Sequence, residues 1–182
     1  MSTRELYQPG PADGARIEKE GERWTLVVTR NLTHPPEKVW EALTDPDHLR
    51  EWAPFDADRN LGHVGTATLT TVGAPTPQVS ESRVKRADKP RLLEFSWGGQ
   101  DLRWELVPAA RGGTRLTLWH NIDRRFIAMG AAGWHICLDV LEQLLEGDPI
   151  GRMAGPATMQ MEGWQRLTKE YAQQFGVEAP QW

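Results

Sequence analysis

The chain has 182 residues, of which 39% are hydrophobic, and its formal net charge at pH 7 is −4. A chain of this length folds as one domain without disulfides or a structural metal, and its acidic balance argues against nucleic-acid binding, which requires a basic face. Cys137 is the single cysteine, the first residues lack the apolar stretch of a signal peptide, and no apolar run reaches the ~20 residues of a membrane span. We therefore expect a cytoplasmic protein that does not insert into membranes.

Residues 1–14 are rich in proline, glycine and polar residues, which predicts a flexible leader. A single domain is expected over residues 15–175, followed by a tail over residues 176–182. Its first two strands are predicted at residues 15–18 and 24–33. Alternation places one set of side chains of the longer strand on a common face: Trp24, Leu26, Val28, Arg30 and Leu32.

Residues 36–52 predict two short helices folded against each other. Pro36 suits the first turn of the first helix, and Asp45 with Pro46 ends that helix and begins the next. We interpret the pair as a lid over one end of a ligand cavity, with Trp52 as its ligand-facing residue. A helical hairpin that plugs an ordinary core is the alternative.

Strand-forming segments recur about every ten residues between residues 55 and 122, with turn residues between them, which predicts an antiparallel sheet. In the last three strands one face is apolar and the other polar, as in a sheet that is covered on one side. The apolar face carries Leu93, Phe95 and Trp97, then Leu102, Trp104 and Leu106, then Leu116, Leu118, His120 and Ile122.

A helix over residues 130–145 is predicted to cover this sheet, and a second helix is predicted over residues 157–175. The polar side of the first helix, with His135 and Asp139, is expected to face solvent. Its apolar stripe consists of Trp134, Cys137, Leu138, Leu141, Leu144 and Leu145.

Two polar residues fall on predicted apolar faces. His120 lies between Leu118 and Ile122 in its strand, so its ring is expected to point inward. An inward histidine is a candidate catalytic residue; a core histidine bonded to a backbone carbonyl is the alternative. Arg30 needs either a carboxylate partner or an anionic ligand, because an unpaired buried charge is costly.

Four tryptophans, Trp52, Trp97, Trp104 and Trp134, fall on predicted inward faces. Together they favour a flat aromatic ligand, although core packing explains each of them singly. The candidate ligand-binding residues are therefore Arg30, Trp52, Trp97, Trp104, His120, Trp134 and Leu138.

Trp119 lies on the opposite, polar face of the sheet, which suggests an interface and a homodimer contact. The remaining histidines lack metal-ligand spacing and the chain has no glycine-rich phosphate loop, so neither a metal nor a cofactor is expected. A basic cluster around a predicted turn is explained by a solvated surface, with partner binding as the alternative: Arg83, Lys85, Arg86, Lys89 and Arg91.

Several motifs, in this order along residues 15–145, resemble the START-like (SRPBCC) superfamily. They are Thr29-Arg30-Asn31-Leu32, Pro36-Glu37-x-Val39-Trp40, Asp45-Pro46-x-x-Leu49-x-x-Trp52, Leu93-x-Phe95-x-Trp97, Gly113-Thr114-x-Leu116-x-Leu118 with His120, and Gly133-Trp134-x-x-x-Leu138-Asp139-x-Leu141. The branch that the chain resembles contains homologues of the C-terminal domain of the ATPase activator of the ninety-kilodalton heat-shock chaperone. The resemblance implies an α+β helix-grip fold: a curved antiparallel sheet wrapped around a long C-terminal helix, two short helices after the first long strand and, here, an extra C-terminal helix.

The superfamily binds or transforms hydrophobic small molecules. The resemblance therefore implies binding of an aromatic or lipid-like molecule in a cavity between the sheet and the C-terminal helix, without a cofactor. One alternative is a cofactor-independent cyclase, hydrolase or isomerase of polyketide-like substrates, in which His120 shuttles a proton. Another is a chaperone-accessory protein that binds a partner through the outer surface of the sheet and the basic cluster.

Overall fold

One eight-stranded antiparallel sheet with a long helix on its covered face forms the frame of the molecule. The structure is a computed structural model that describes residues 2–73 and 76–181; Met1 of the predicted leader and Trp182 of the predicted tail lie outside the described residues. The strands are β1 (Ala15–Glu20), β2 (Arg23–Leu32), β3 (Phe55–Ala57), β4 (Gly65–Thr71), β5 (Gln78–Asp88), β6 (Leu92–Trp97), β7 (Gln100–Pro108) and β8 (Thr114–Asn121). The helices are α1 (Thr3–Leu6), α2 (Pro36–Thr44), α3 (Pro46–Trp52), α4 (Ile127–Leu145), α5 (Pro156–Met159) and α6 (Glu162–Phe175).

The strand order in the sheet is β1-β2-β8-β7-β6-β5-β4-β3, so the second strand pairs with the last one. This pairing sets Leu26 opposite His120 and Arg30 opposite Leu116. Residues at alternate positions share a face. Most apolar side chains of the predicted inward face are buried beneath α4, and Trp24 and Trp97 are half-buried. The helix-grip fold predicted from the sequence, including the two short helices and the extra C-terminal helix, is confirmed.

The α2–α3 pair begins and ends as its sequence predicts. Pro36 is in the first turn of α2, and the carboxylate of Asp45 accepts the Asp47 N–H at 2.8 Å, which caps α3. The indole of Trp52 is completely buried and donates to the Ala42 carbonyl oxygen at 2.9 Å. This bond joins the end of α3 to the middle of α2, so the two short helices pack as one unit.

The prediction of one continuous helix over residues 157–175 is wrong. The segment forms two helices, α5 and α6, because Met161 between them has extended backbone angles (φ −72°, ψ 134°). In the part of the chain that the structure describes, no helix has both the length and the apolar character needed to cross a bilayer.

The prediction that the polar side of α4 faces solvent is also wrong. His135 is only 6% exposed, and its Nδ1 lies 2.7 Å from the hydroxyl of Tyr171 in α6. The hydroxyl of Tyr7, from the segment before β1, donates to Asp139. α6 and the N-terminal segment thus cover this side of α4. The mobility expected for residues 1–14 stays a prediction.

Candidate functional site

A cavity of about 310 Å³ lies between one end of the sheet, α4 and the segment that follows α4. Its walls are mainly apolar and aromatic, with few polar side chains, as in sites for small organic ligands. The residues that line it are Pro54, Trp97, Gln100, His120, Ile122, Phe126, Met129, Gly130, Gly133, Trp134, Cys137, Ala154, Gly155, Thr158, Met159 and Trp164.

His120 is the central polar residue of this cavity and is 2% exposed. The indole Nε1 of Trp134 donates to His120 Nδ1 at 2.9 Å, and His120 Nε2 lies 2.7 Å from Oε1 of Gln100. An indole N–H is only a donor, so Nδ1 accepts and a neutral ring carries its proton on Nε2. The Nε2–H therefore donates to Gln100, and both ring nitrogens are engaged.

Burial lowers the pKa of His120 from its ordinary value of 6.5 to about 4. The ring is therefore neutral at pH 7. To act as a general base it must first lose the hydrogen bond that Nδ1 accepts from Trp134. The arrangement holds the ring in one tautomer and one orientation.

Two indoles form the aromatic wall beside His120. The ring centroids of Trp97 and Trp134 are 5.9 Å apart and the planes meet at 75°, while Trp97 is tilted by 37° against the His120 ring at 5.8 Å. The Trp97 N–H donates to Thr71 Oγ1 at 2.8 Å, so this indole is fixed by β4. The wall therefore offers ring faces and edges to a ligand.

The structure brings three of the sequence-predicted site residues together in the cavity wall: Trp97, His120 and Trp134. Trp104 and Leu138 are each 1% exposed and lie in the core outside that wall, as does the completely buried Trp52. Trp52 meets Trp104 edge-on at 6.0 Å, and Trp104 meets Trp134 in the same manner at 5.5 Å. These two indoles support the cavity wall from behind.

The sequence left open whether Arg30 pairs with a carboxylate or with an anionic ligand. In the structure it pairs with two carboxylates. Its Nη1 lies 2.6 Å from Asp139 Oδ1 and 2.9 Å from Glu142 Oε1, and its Nη2 donates to the His135 carbonyl oxygen at 3.3 Å. The guanidinium is bound by these groups on the polar side of α4 and is not part of the cavity wall.

Sequence reasoning missed Gln100 and named no residue of the segment after α4 as part of the site. Thr158 and Met159 of α5 and Trp164 of α6 line the cavity, so the extra C-terminal helices form part of its wall. Gly130 and Gly133 could have been recognised, since two glycines three apart in a helix remove side chains from one stripe.

Cys137 also lines the cavity, yet it is not an activated thiol. Burial raises its pKa from 9.0 to about 12, and its Sγ lies 3.8 Å from the Met153 carbonyl oxygen. A thiol with this pKa is protonated at neutral pH and is a poor nucleophile.

The outer face of the sheet carries charged pairs rather than an apolar patch. Trp119 is half-buried, with the Arg103 guanidinium 5.1 Å from its ring centre. Within the basic cluster, Lys85 pairs with Asp101 at 3.0 Å, and Arg86 pairs with Asp88 at 2.8 Å. The homodimer contact through Trp119 stays a prediction.

One group of metal-ligating side chains occurs among the described residues, at the junction of α2 and α3. Ligand atoms of Glu41, Asp45 and His48 lie within 4.8 Å of one another. Asp45 already caps α3 through the bond to Asp47, and none of the three lines the cavity. That the chain binds no metal stays a prediction.

Comparison with known proteins agrees with this architecture. The conserved protein of unknown function EF2215 from Enterococcus faecalis is 18% identical, with 95% of this chain and 96% of that chain covered and a TM-score of 0.68. CalU16 from Micromonospora echinospora is 22% identical, with 90% and 92% covered and a TM-score of 0.60. MLL2253 from Mesorhizobium loti is 27% identical, with 68% and 97% covered and a TM-score of 0.58.

These structural likenesses support the fold, and no curated protein sequence matches the chain. The family model described as activator of Hsp90 ATPase homolog 1-like protein matches residues 33–146, which is more than half of the chain. The match runs from the end of β2 through α4. The chain therefore belongs to the activator of Hsp90 ATPase homolog 1-like family of the START-like superfamily, as its motifs indicate.

Proposed function

We propose that the chain binds a flat, hydrophobic small molecule in the cavity between the sheet and α4. The observation that carries the proposal is the cavity of about 310 Å³ itself, with an aromatic wall built by Trp97 and Trp134. Natural ligand pockets have volumes of about 300–1,000 Å³, so this one suits a molecule of two or three fused rings. Burial of its apolar surface supplies the binding free energy.

Catalysis of a cyclase, hydrolase or isomerase type is less well supported by the residues of the cavity. His120 has both nitrogens engaged, and the Cys137 thiol is protonated at neutral pH. Neither group is poised to take or deliver a proton as general acid–base catalysis requires. We therefore favour binding over turnover.

The chaperone-accessory alternative rests on the family name and on the basic cluster. The ammonium of Lys85 in β5 has an acidic partner, Asp101, on β7, so part of this surface is neutralised within the molecule. Stimulation of a purified chaperone ATPase, lost on charge reversal at Lys85 and Arg86, would support that function in place of the one proposed.

A cavity-filling variant tests the proposal. A side chain at Gly133 meets nothing within 4 Å of its Cβ, so Gly133→Phe is expected to fold and to occupy the cavity. We expect fluorene, a flat three-ring hydrocarbon, to raise the thermal midpoint of the wild type and of Gly133→Ala, but not of Gly133→Phe. Equal shifts in all three proteins, or none in the wild type, would contradict the proposal.

Native mass spectrometry of the protein as purified complements this experiment. A retained small molecule that is present on the wild type and missing from Gly133→Phe would give the chemical identity of a natural ligand.

A further inference from the structure

The hydrogen bonds around His120 run in one direction only. Trp134 Nε1–H donates to Nδ1 of His120, and His120 Nε2–H donates to Oε1 of Gln100. Trp134 sets the direction of both hydrogen bonds, because its indole nitrogen can donate but cannot accept. A side-chain amide has one oxygen and one nitrogen, so the amide oxygen of Gln100 is committed to the imidazole.

The amide nitrogen of Gln100 remains available to bind another group. It carries two N–H donors, and no described residue accepts a hydrogen bond from it. Gln100 is half-buried at the first position of β7 and lines the cavity. A ligand that displaces water from the cavity must supply an acceptor for this donor, because a donor left unpaired away from water costs free energy.

The indole donors on the same side of the cavity are already used. Trp97 donates to Thr71 and Trp134 donates to His120. The hydroxyl of Thr158 across the cavity can donate or accept. The Gln100 end of the cavity therefore presents the N–H donors of the amide to a ligand, because the amide oxygen is already bonded to His120.

We infer that the ligand carries a hydrogen-bond acceptor such as a ketone or quinone carbonyl, which the amide nitrogen of Gln100 recognises. His120 is then a positioning residue, since its bond to the amide oxygen decides which end of the amide faces the ligand. This inference deepens the proposed function and rests on it. A flat ligand whose only polar group is a donor is disfavoured at the Gln100 end of the cavity.

A matched pair of probes tests the inference. Fluorenone and fluorene share one tricyclic skeleton and differ in a carbonyl group against a methylene group. We expect the wild type to bind fluorenone about fivefold more tightly than fluorene, as one net hydrogen bond of ~1 kcal/mol implies. Dissociation constants are measured by quenching of tryptophan fluorescence at pH 7.

Three variants test whether the amide nitrogen of Gln100 causes the preference for fluorenone. Gln100→Met keeps a side chain of similar length without a donor, so the ratio of the two affinities is expected to fall to about one. His120→Gln can accept from Trp134 and donate to Gln100, so it is expected to keep the preference. His120→Leu can do neither and is expected to lose it. If His120→Leu does not fold, the ratio of the two affinities in Gln100→Met alone tests the inference.

The outcomes separate this inference from the proposed function. Equal binding of both probes by the wild type, or a preference that survives in Gln100→Met, overturns the recognition of a carbonyl and leaves the cavity as a binding site. Failure of the wild type to bind either probe overturns both.

Discussion

Protonation of His120 is expected to destabilise the protein between pH 6.5 and pH 4. The ring is buried among apolar and aromatic side chains, and burial lowers its pKa from 6.5 to about 4. In this pH window the unfolded chain binds a proton that the folded chain does not, so the free energy of unfolding falls as the pH falls. Above pH 6.5 the contribution of His120 is fully present.

The magnitude follows from the pKa difference. Each pKa unit corresponds to about 1.4 kcal/mol, so the complete loss is on the order of 3 kcal/mol. Between pH 7 and pH 5 we expect a loss of about 2 kcal/mol, because most of the unfolded chains are protonated at pH 5 and most of the folded ones are not. Protonation of Nδ1 also abolishes the bond that it accepts from Trp134.

Urea unfolding followed by circular dichroism at pH 7, 6 and 5 measures this loss. His120→Gln is the matched control, because its amide is neutral at every pH and has both an acceptor and a donor. The burial of His135 lowers its pKa as well, and that contribution is common to both proteins. The difference between the two pH dependences therefore isolates His120. Identical pH dependences would refute the assignment of a buried, neutral His120.

Three further predictions concern stability and reactivity. Gly133→Ala is expected to stabilise the protein by about 1 kcal/mol, since the site is open and alanine favours a helix. Gly130→Ala is expected to give no increase in stability, because its Cβ would lie 2.9 Å from the Ile122 side chain. Thermal unfolding compares the two variants. Arg30→Met leaves Asp139 and Glu142 without their guanidinium partner and is expected to cost about 2 kcal/mol in urea unfolding, while fluorene binding is expected to stay unchanged. Loss of binding would contradict the separation of this ion pair from the cavity. Cys137 is expected to react with a thiol reagent at pH 8 only after unfolding; rapid reaction of the native protein would contradict its burial.

The fold was predictable because local patterns and the order of the elements agree. The caps of α2 and α3, the alternation in the last three strands and the apolar stripe of α4 each involve residues close in sequence. Their side chains have to meet in one core, since each element has a single apolar face. These observations located His120 and two of the cavity tryptophans correctly on the inward side.

The composition of the cavity wall was less predictable. Gln100 follows a tight turn and its role depends on the orientation of His120, which is 20 residues away. The polar side of α4 is covered through contacts such as the one between Tyr7 and Asp139, which are 132 residues apart. An amphipathic pattern indicates which side of a helix is polar, but it does not tell whether another segment of the chain covers that side.

A crystal structure of the protein with fluorenone bound tests the central claim most directly. We predict that the rings lie in the cavity against Trp97 and Trp134, with the carbonyl oxygen within hydrogen-bond distance of the Gln100 amide nitrogen. Fluorenone bound elsewhere, with the space between the sheet and α4 closed by side chains, would contradict the account.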